Sequence, residues 1–410
     1  MRSARKRALV VKPHLGNNFG ALNSVIDSIT NELQGRFYFL TIDIEDSELI
    51  TELSCVGSDK SNVIFWTYFG YDLKFSAFNV TQSRSLSSIL SARQVVIVDD
   101  PPYYGFMYER LKQFIHDTPT NGQIIFSSAT AFEEAKTLFD IQQPCSVLEF
   151  PALVRDEKRF YLPFQNREYD LIAPVSFNEN IHLETVIASF RSFGQLGDFL
   201  ISSTLNVIND YAKYRKSSSL HLMISSLDSL KLPSTDISFL IKNSSAFRQC
   251  VELFDLLRRN AHRASVLTDL ITSSNPRILL FGNIPSNILK LTDNITLSDR
   301  VPIEILISLI QRSKYLLDVH IPGQNSNHQR AKSALALGTG LMTDGPLADH
   351  PTSGSFCWNL NEVSSAVYNE EYSVEWSKRV SLAISMKDLY STRSFGNNLY
   401  SCLIEVDQQT

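Results

Sequence analysis

The stretch HIPGQNSNHQRAKSALALGTGLMTDGP, residues 320–346, contains the clearest indication of fold in this chain. The apolar run YLLDVHI (315–321) leads into it and predicts a buried strand. Pro322 and Gly323 then end the strand and begin a polar loop that includes His328. A small-residue helix, AKSALALG, and a second short strand, GLMTD, complete the unit. This order is typical of an α/β sheet, in which ligands bind in the loops beyond the carboxyl ends of the strands.

The polar loop of this unit is predicted to bind a phosphate or a diphosphate. The helix is expected to begin between Asn325 and His328, and the N-terminus of a helix carries about half a positive charge. Arg330 adds a cation whose guanidinium donates two parallel hydrogen bonds to phosphate oxygens. The alternative is a solvated loop followed by a packing helix. The predicted binding residues of the loop are Gly323, Asn325, Ser326, Asn327, His328 and Arg330.

Composition and charge limit the classes of protein to which this chain can belong. Its 410 residues exceed one ordinary hydrophobic core, so two domains are expected. The hydrophobic fraction of 43% and the charged fraction of 20% are ordinary for a soluble globular protein. The net charge of −5 argues against nucleic acid as a partner. Five cysteines without CxxC spacing argue against a zinc site or a disulfide framework and favour a reducing compartment, so a cytoplasmic location is expected.

Hydropathy gives no indication of a membrane span. No uncharged apolar run approaches the roughly 20 residues that are needed to cross a bilayer. The chain starts MRSARKRALVV, in which ALVV is interpreted as a first strand and the basic residues before it as a solvated tail. The alternative is a peripheral contact between this basic tail and a membrane surface.

Two series of short apolar runs alternate with helical segments and predict two parallel sheets. Continuous apolar strands suit a sheet that is buried on both faces, and strand–helix alternation implies right-handed crossovers. The predicted strands of the first series span 8–13, 37–43, 62–68, 94–100, 123–128 and 145–150. Those of the second series span 169–175, 277–283, 295–299, 315–321 and 340–344, and 219–225 is a further candidate.

These series predict an α/β protein with two doubly wound, Rossmann-like domains that face each other. The N-terminal domain is expected over 1–162 and the C-terminal domain over 163–390, followed by a last helix over 391–410. The polar segment PFQNREYD (163–170) is interpreted as the linker between them. Between the first two strands of the C-terminal domain, a helical insertion is expected over about 185–275.

Two loops of the N-terminal domain contain candidate catalytic residues. His14 follows the first predicted strand and Asp100 follows the fourth, so the two form a candidate general base in which the carboxylate favours the charged form of the histidine. The alternatives are a histidine that caps a turn and an aspartate that caps the next helix. The other residues predicted at this end of the sheet are Gly16, Asn17, Asn18 and Tyr103. Tyr103 either stacks on a sugar or ring, or packs in the core.

Further loops of the C-terminal domain are expected to contact the same ligand. Glycine at a strand end permits close approach of the backbone, and Pro302 occupies a first helical position. Val301 then lies where a flat base ring would bind. Ser176 either donates to a phosphate or caps the following helix. The predicted residues of these loops are Ser176, Gly282, Asn283, Val301, Pro302 and Glu304.

The run VPIEILISLIQRSKYLLDVHIPGQNSNHQRAKSALALGTGLMTD (301–344) resembles the C-terminal domain of GT-B glycosyltransferases, and it is most similar to the group-1 kind that includes the spore-maturation-type enzymes. The resemblance covers Ile278 to Gly345. It rests on a base-binding turn, a polar loop, and a helix that carries Arg and ends in A-x-G before a strand. Many members carry a glutamate early in this helix, where the chain has Arg330, Ala331, Lys332 and Ser333.

This resemblance implies a nucleotide-activated sugar in the C-terminal domain, an acceptor in the N-terminal domain and no obligatory metal or added cofactor. The expected function is therefore a glycosyltransferase that moves a sugar to a glycan, a lipid-linked acceptor or another hydroxyl. Two alternatives stay open. A nucleotide-sugar epimerase shares the two-domain fold and is expected to carry more carboxylates and histidines at the cleft. A catalytically silent binding protein of the same fold would account for the missing glutamate.

Overall fold

The computed structural model describes residues 6–12, 20–43, 46–67, 90–154, 161–178, 181–273, 277–284, 295–326, 328–349, 354, 356–358, 360, 372–386 and 390–409. The chain forms two compact units, Met1–Phe150 with Arg393–Thr410, and Pro151–Thr392. The first unit thus ends before residue 162, and the last helix belongs to the first unit.

A six-stranded parallel sheet forms the first unit, with strand order β2-β1-β3-β4-β5-β6. Its strands are β1 (Lys6–Lys12), β2 (Phe37–Asp43), β3 (Val63–Thr67), β4 (Arg93–Val98), β5 (Gly122–Phe126) and β6 (Cys145–Val147). The helices between them are α1 (Gly20–Leu33), α2 (Leu49–Gly57), α3 (Gly105–Asp117) and α4 (Ala129–Leu138). The last helix of the chain, Thr392–Gln409, packs on this sheet through Phe395, Leu399 and Leu403.

A second six-stranded parallel sheet forms the second unit, with strand order β12-β11-β10-β7-β8-β9. Its strands are β7 (Tyr169–Pro174), β8 (Ile278–Phe281), β9 (Ile295–Ser298), β10 (Ser313–Asp318), β11 (Gly340–Thr343) and β12 (Cys357–Trp358). Its helices are α5 (Leu183–Arg191), α6 (Gln195–Asn209), α7 (Tyr211–Tyr214), α8 (Ser219–Ser229), α9 (Ser234–Asn243), α10 (Ser245–Ser273), α11 (Ile303–Gln311), α12 (Gln329–Ala336) and α13 (Tyr372–Ser385).

The strand pattern confirms the predicted architecture of two doubly wound α/β units with a helical insertion. Each of the eleven firmly predicted strands is present, and helices α5 to α10 occupy the predicted insertion. Every residue of β3, β5, β8 and β11 is buried, as expected for strands that are covered by helices on both faces. The edge strand β9 has no fully buried residue, whereas both residues of the other edge strand, β12, are buried. No helix in the described part of the chain is both long and apolar enough to span a bilayer.

The candidate strand at 219–225 is wrong, because this segment lies within the helix α8. Its buried residues Leu220, Met223 and Leu227 have the spacing of one face of a helix. Over the shorter stretch 219–225 the apolar residues also alternate, and this alternation led to the strand prediction. Ser218 caps this helix by accepting a hydrogen bond from the backbone N–H of His221.

Doubly wound folds bind ligands beside the point in the sheet at which the strand order reverses, which is called the switch point. In the second sheet, β7 lies between β8 and β10, so the loops that follow β7 and β10 border this switch point. In the first sheet, the switch point lies between β1 and β3. The loops after these two strands, including 13–19, lie outside the described residues.

The helical insertion packs directly against the loop that follows β10. Gly323 in that loop has φ of +76° and donates its backbone N–H to the carbonyl of Arg215, at 2.7 Å. A Cβ at position 323 would overlap the backbone of Ser217 and Ser218 at the start of α8. Glycine is therefore required here both for its backbone conformation and for the close approach of two chain segments.

Replacement of Gly323 by alanine should lower the stability of the second unit by about 3 kcal/mol, since an L-residue with positive φ and an overpacked contact each cost about 1–2 kcal/mol. The control is Gly35→Ala, because an added Cβ at Gly35 meets no atom within 4 Å. Urea denaturation should show a clearly larger loss for Gly323→Ala. Equal losses in the two variants would contradict the packing argument.

Candidate functional site

A buried carboxylate ends strand β10 and organises the loop that follows it. Asp318 is 1% exposed, and its Oδ1 accepts hydrogen bonds from Nδ1 of His328 and from Nε of Arg330, each at 2.8 Å. The hydroxyl of Thr343, the last residue of β11, donates to Oδ2 at 3.3 Å. Burial alone would raise the pKa of Asp318, but His328 and Arg330 hold that pKa well below its ordinary value.

The local sequence explains why these three groups meet. The run SKYLLD places Asp318 at the carboxyl end of a buried strand, and the neighbouring parallel strand ends at Thr343. The backbone turns through the loop and enters α12 directly after His328. Side chains of a helix lean toward its N-terminus, so Arg330, in the first turn, reaches back to the end of β10.

Two histidines of this loop are held neutral by burial. Burial lowers the pKa of His328 to about 4, despite the attraction of Asp318, and it lowers the pKa of His320 as well. The two rings lie 4.7 Å apart. Nε2 of His320 lies 3.0 Å from the carbonyl of Gln324, to which it donates, while its buried Nδ1 has no hydrogen-bond partner among the described residues. His320 therefore offers an unused acceptor beside the cluster.

A second carboxylate, Asp344, follows strand β11 and binds the same loop from the other side. Its Oδ1 accepts the backbone N–H of His320 at 2.9 Å, and its Oδ2 accepts Nε2–H of His262 at 2.6 Å. The ring of Tyr211 stacks on His262 with centroids 4.0 Å apart and an interplanar angle of 10°. Burial would raise the pKa of Asp344, but the contacts with His262 and His320 lower that pKa below its ordinary value.

The cluster contains the residue types of a metal site, but its charges do not fit a divalent cation. Ligand atoms of Asp318, His320 and His328 lie within 4.8 Å of one another. However, the guanidinium of Arg330 already binds the Asp318 oxygen that a cation would need. A guanidinium has five N–H donors; here Nε–H donates to Asp318, Nη2 lies 3.2 Å from Nδ1 of His328, and the other N–H groups remain for a ligand. A group that brings negative charge suits this neighbourhood better than a metal ion.

The other predicted residues of the polar loop differ in their exposure. Gly323 is buried, Ser326 is partly exposed and Asn325 is exposed, whereas Asn327 lies outside the described residues. Helix α12 begins at Gln329, next to the predicted start. Arg330 does not extend freely into solvent, as a bare phosphate ligand would, because it is paired with Asp318.

The predicted base-binding turn lies at the ends of β8 and β9. Gly282 has φ of +116° and donates its N–H to the carbonyl of Ser298, while the carbonyl of Asn283 accepts from Phe177. Val301 packs partly against the hydrophobic core of the unit. Pro302 directly precedes α11, and Glu304 is exposed in the first turn of that helix.

Ser176 lies in the loop after β7, which borders the switch point. Its carbonyl accepts a hydrogen bond from Arg263 of α10. Asn178 and Asn260 exchange two hydrogen bonds, at 3.0 and 2.9 Å, so α10 holds this loop as well. The predicted capping role of Ser176 is wrong, because α5 begins only at Leu183.

The candidate residues of the first unit are only partly described. His14, Gly16, Asn17 and Asn18 lie outside the described residues. Asp100 is half-buried directly after β4, and β3 lies between β4 and β1. Tyr103 is buried and packs edge-on against Tyr104 at 5.3 Å, which supports the packing alternative.

Sequence reasoning missed five members of the cluster. Asp318 and Asp344 carried a readable signal, because each is an acid that ends a buried apolar strand in YLLD and GLMTD. His320 lies in the stretch 320–346 but was not among the predicted binding residues. His262 and Tyr211 carried no such signal, since they lie 82 and more residues before Asp344 on helices of the insertion.

Comparison with solved structures identifies the architecture. A sucrose-phosphate synthase from Thermosynechococcus elongatus matches with a TM-score of 0.51 and 8% identity, over 99% of this chain and 100% of that chain. An alpha-glucosyltransferase in complex with UDP-glucose and DNA containing an abasic site matches with a TM-score of 0.56 and 8% identity, over 98% of this chain and 100% of that chain. The chain has the GT-B fold.

At these identities, the likeness to known GT-B proteins is one of fold, so the activity must be argued from the site. No family model and no curated protein matches the sequence. A further alpha-glucosyltransferase structure, with UDP and a 13-mer DNA containing a central A:G mismatch, matches with a TM-score of 0.52 and 9% identity, over 98% of this chain and 100% of that chain. Because two of these neighbours bind DNA, the expected lack of a nucleic-acid partner stays a prediction from net charge.

The neutral His328 should make the protein sensitive to mild acid. Its pKa is about 4 in the folded state against an ordinary value of 6.5, so the unfolded chain binds more protons between these pH values. Stability is therefore retained above pH 6.5 and falls as the pH approaches 4, by about 3 kcal/mol from this group. Urea denaturation at pH 7.5 and 4.5 measures the loss.

The variant His328→Asn keeps a short donor near Asp318 but does not titrate, so it should lose less stability than the wild type over the same interval. Exposed His182, which precedes α5, provides the control variant His182→Asn. A pH dependence that is identical in His328→Asn and in the wild type would remove His328 as its source.

Proposed function

We propose that this protein is a glycosyltransferase that moves a sugar from a nucleotide-activated donor to a hydroxyl acceptor. The observation that carries the proposal is the cluster of Asp318, His320, His328 and Arg330, which lies at the switch point of the second GT-B sheet. A leaving nucleotide phosphate develops negative charge, which fixed donors stabilise when they are positioned in advance. Arg330 and the N-terminus of α12 are such donors.

The pairing of Arg330 with Asp318 serves this role by fixing the geometry of the guanidinium. A free arginine side chain loses rotamer freedom when it binds a ligand, and this loss opposes binding. Here the buried carboxylate has already fixed the Nε end, with the side chain 24% exposed. The remaining N–H groups of the fork then serve a diphosphate without further ordering.

The nucleotide base and ribose are assigned to the turn that contains Gly282, Asn283, Val301 and Glu304. In the family that this chain resembles, a glutamate early in the helix that corresponds to α12 holds the donor ribose, whereas the stretch from Arg330 to Ser333 contains no acid. Ser333 is fully buried, and its hydroxyl accepts the backbone N–H of Leu153 at 2.8 Å. Ribose recognition is therefore assigned to Glu304, whose carboxylate is exposed in the first turn of α11.

The acceptor is assigned to the first unit. His14 with Asp100 is the candidate general base for the case in which the transfer inverts the anomeric configuration; if the configuration is retained, neither residue need act as a base. Asp100 follows a strand whose carboxyl end points to the same edge as that of β1. Since β3 lies between these strands, the carboxyl ends of β1 and β4 are about 10 Å apart at that edge.

A nucleotide-sugar epimerase is a second candidate, and one observation favours it. The described part of the second unit brings two carboxylates and three histidines together, in Asp318, Asp344, His262, His320 and His328. Both carboxylates are nonetheless engaged in hydrogen bonds within the cluster, so neither is set up to accept a proton from a substrate carbon. A transferase with a rigid donor site accounts better for these contacts.

Incubation with a panel of UDP-, GDP-, dTDP-, ADP- and CMP-linked sugars should identify the donor. Calorimetry should show binding of at least one of them, and NMR of the product mixture should show free nucleotide without an epimerised nucleotide sugar. Accumulation of an epimer would favour the second candidate. No binding of any member of the panel would sink the donor assignment.

With that donor, Arg330→Ala should weaken binding by about 2 kcal/mol, the range for a hydrogen bond to a charged group. Arg330→Lys should recover only part of the loss, because an ammonium lacks the planar fork. The matched control is Arg312→Ala, since Arg312 pairs with Glu168 on the surface. A dissociation constant for Arg330→Ala within twofold of the wild type would remove Arg330 from the site.

A further inference from the structure

The helical insertion contacts the candidate donor loop through a buried hydrogen bond. His262 lies on α10 and is 7% exposed, and its Nε2–H donates to Oδ2 of Asp344 at 2.6 Å. The other oxygen of the same carboxylate accepts the backbone N–H of His320 at 2.9 Å. Asp344 thus bridges the insertion and the first turn of the loop that follows β10.

The orientation of His262 is itself fixed from within the insertion. The ring of Tyr211, in α7, stacks on the imidazole at 4.0 Å and nearly parallel. Burial raises the pKa of Tyr211, so its hydroxyl stays neutral. Two helices of the insertion therefore set the direction of one N–H group that points at Asp344.

The middle of the same loop is also held by the insertion. The N–H of Gly323 donates to the carbonyl of Arg215, between α7 and α8. The buried Arg258 of α10 donates to the carbonyls of Tyr214 and Ser217 in that same connection. Both His320 and Gly323 are consequently tied to one rigid helical body.

We propose that His262 is a positioning residue, through which the helical insertion holds the loop 319–328 in its donor-binding geometry. This inference rests on the proposed function, since it assigns the insertion a role in donor affinity. Removal of the His262 donor leaves the carboxylate of Asp344 buried with one partner fewer, which is costly in a region of low dielectric. The loop must then either move or admit water to satisfy that charge.

The proposal predicts different effects of a His262 replacement on the insertion and on the loop. A residue that only stabilises the insertion would, when replaced, loosen α8 and α10 and leave the loop unchanged. A positioning residue changes the loop while the insertion stays folded. Backbone amide exchange distinguishes these cases peptide by peptide, because it reports local opening in each segment.

The test compares His262→Phe, which keeps a ring for stacking on Tyr211 but lacks the donor, with His262→Gln, whose side-chain amide donates from nearly the position of Nε2. Hydrogen exchange is measured on the full chain without ligand. The backbone amides of the loop 319–328 should exchange about tenfold faster in His262→Phe than in the wild type, which is a typical magnitude for coupling between sites. In His262→Gln, exchange should return to the slower wild-type rate. His182→Phe, on the exposed start of α5, is the control and should change nothing.

Donor binding supplies the second measurement. The dissociation constant of the nucleotide sugar should rise about tenfold in His262→Phe and return toward the wild-type value in His262→Gln. Faster exchange confined to α8 and α10, or a phenylalanine variant that binds donor as the wild type does, overturns the proposal. If His262→Phe fails to fold, Tyr211→Leu takes its place, because it keeps the donor and removes only the ring that orients it.

The exchange experiment does not depend on the identity of the ligand. If the wild type binds no nucleotide sugar but the loop still loosens in His262→Phe, the proposed function fails and the positioning role stands. If donor binds and the loop is indifferent to His262, the positioning role fails and the proposed function stands.

Discussion

The buried carboxylate of Asp318 is the constraint on which the second unit depends. A charge that is 1% exposed is tolerated only when its partners are fixed, and here they are His328 and Arg330 at the start of α12. The pairing joins the end of β10 to the start of the next helix, and Thr343 adds the end of β11. One ionised group thereby holds together the three segments that surround the candidate donor site.

A buried cation binds the opposite, amino ends of the strands in the same sheet. Arg167 precedes β7 and donates to the carbonyls of Gln311, Ser313 and Gly338, and to the hydroxyl of Thr339. Burial lowers its pKa to about 10, so it remains charged at neutral pH. The amino ends of β10 and β11 are thus tied to one guanidinium, while their carboxyl ends are tied to carboxylates.

The fold was readable from the sequence because it rests on local patterns. Continuous apolar runs of four to seven residues that alternate with helical segments require a parallel sheet covered on both faces, and strand bounds such as Phe37–Asp43 agreed with the pattern to the residue. The segment 219–225 misled this reasoning because a short amphipathic helix and an alternating strand share apolar positions over so few residues. The two-residue strand β12 is too short to leave any periodic signal.

The sequence by itself determined two doubly wound units, a helical insertion in the second, and a polar loop with His328 and Arg330 after a buried strand. It did so because the spacing of apolar residues and the residue types that form turns are both local features, set by residues close together along the chain. Only the tertiary structure decided that Arg330 pairs with Asp318, and that His262 reaches Asp344. These contacts join residues 12 and 82 positions apart on different elements, and their partners are selected by the packing of helices on the sheet, which no local pattern encodes.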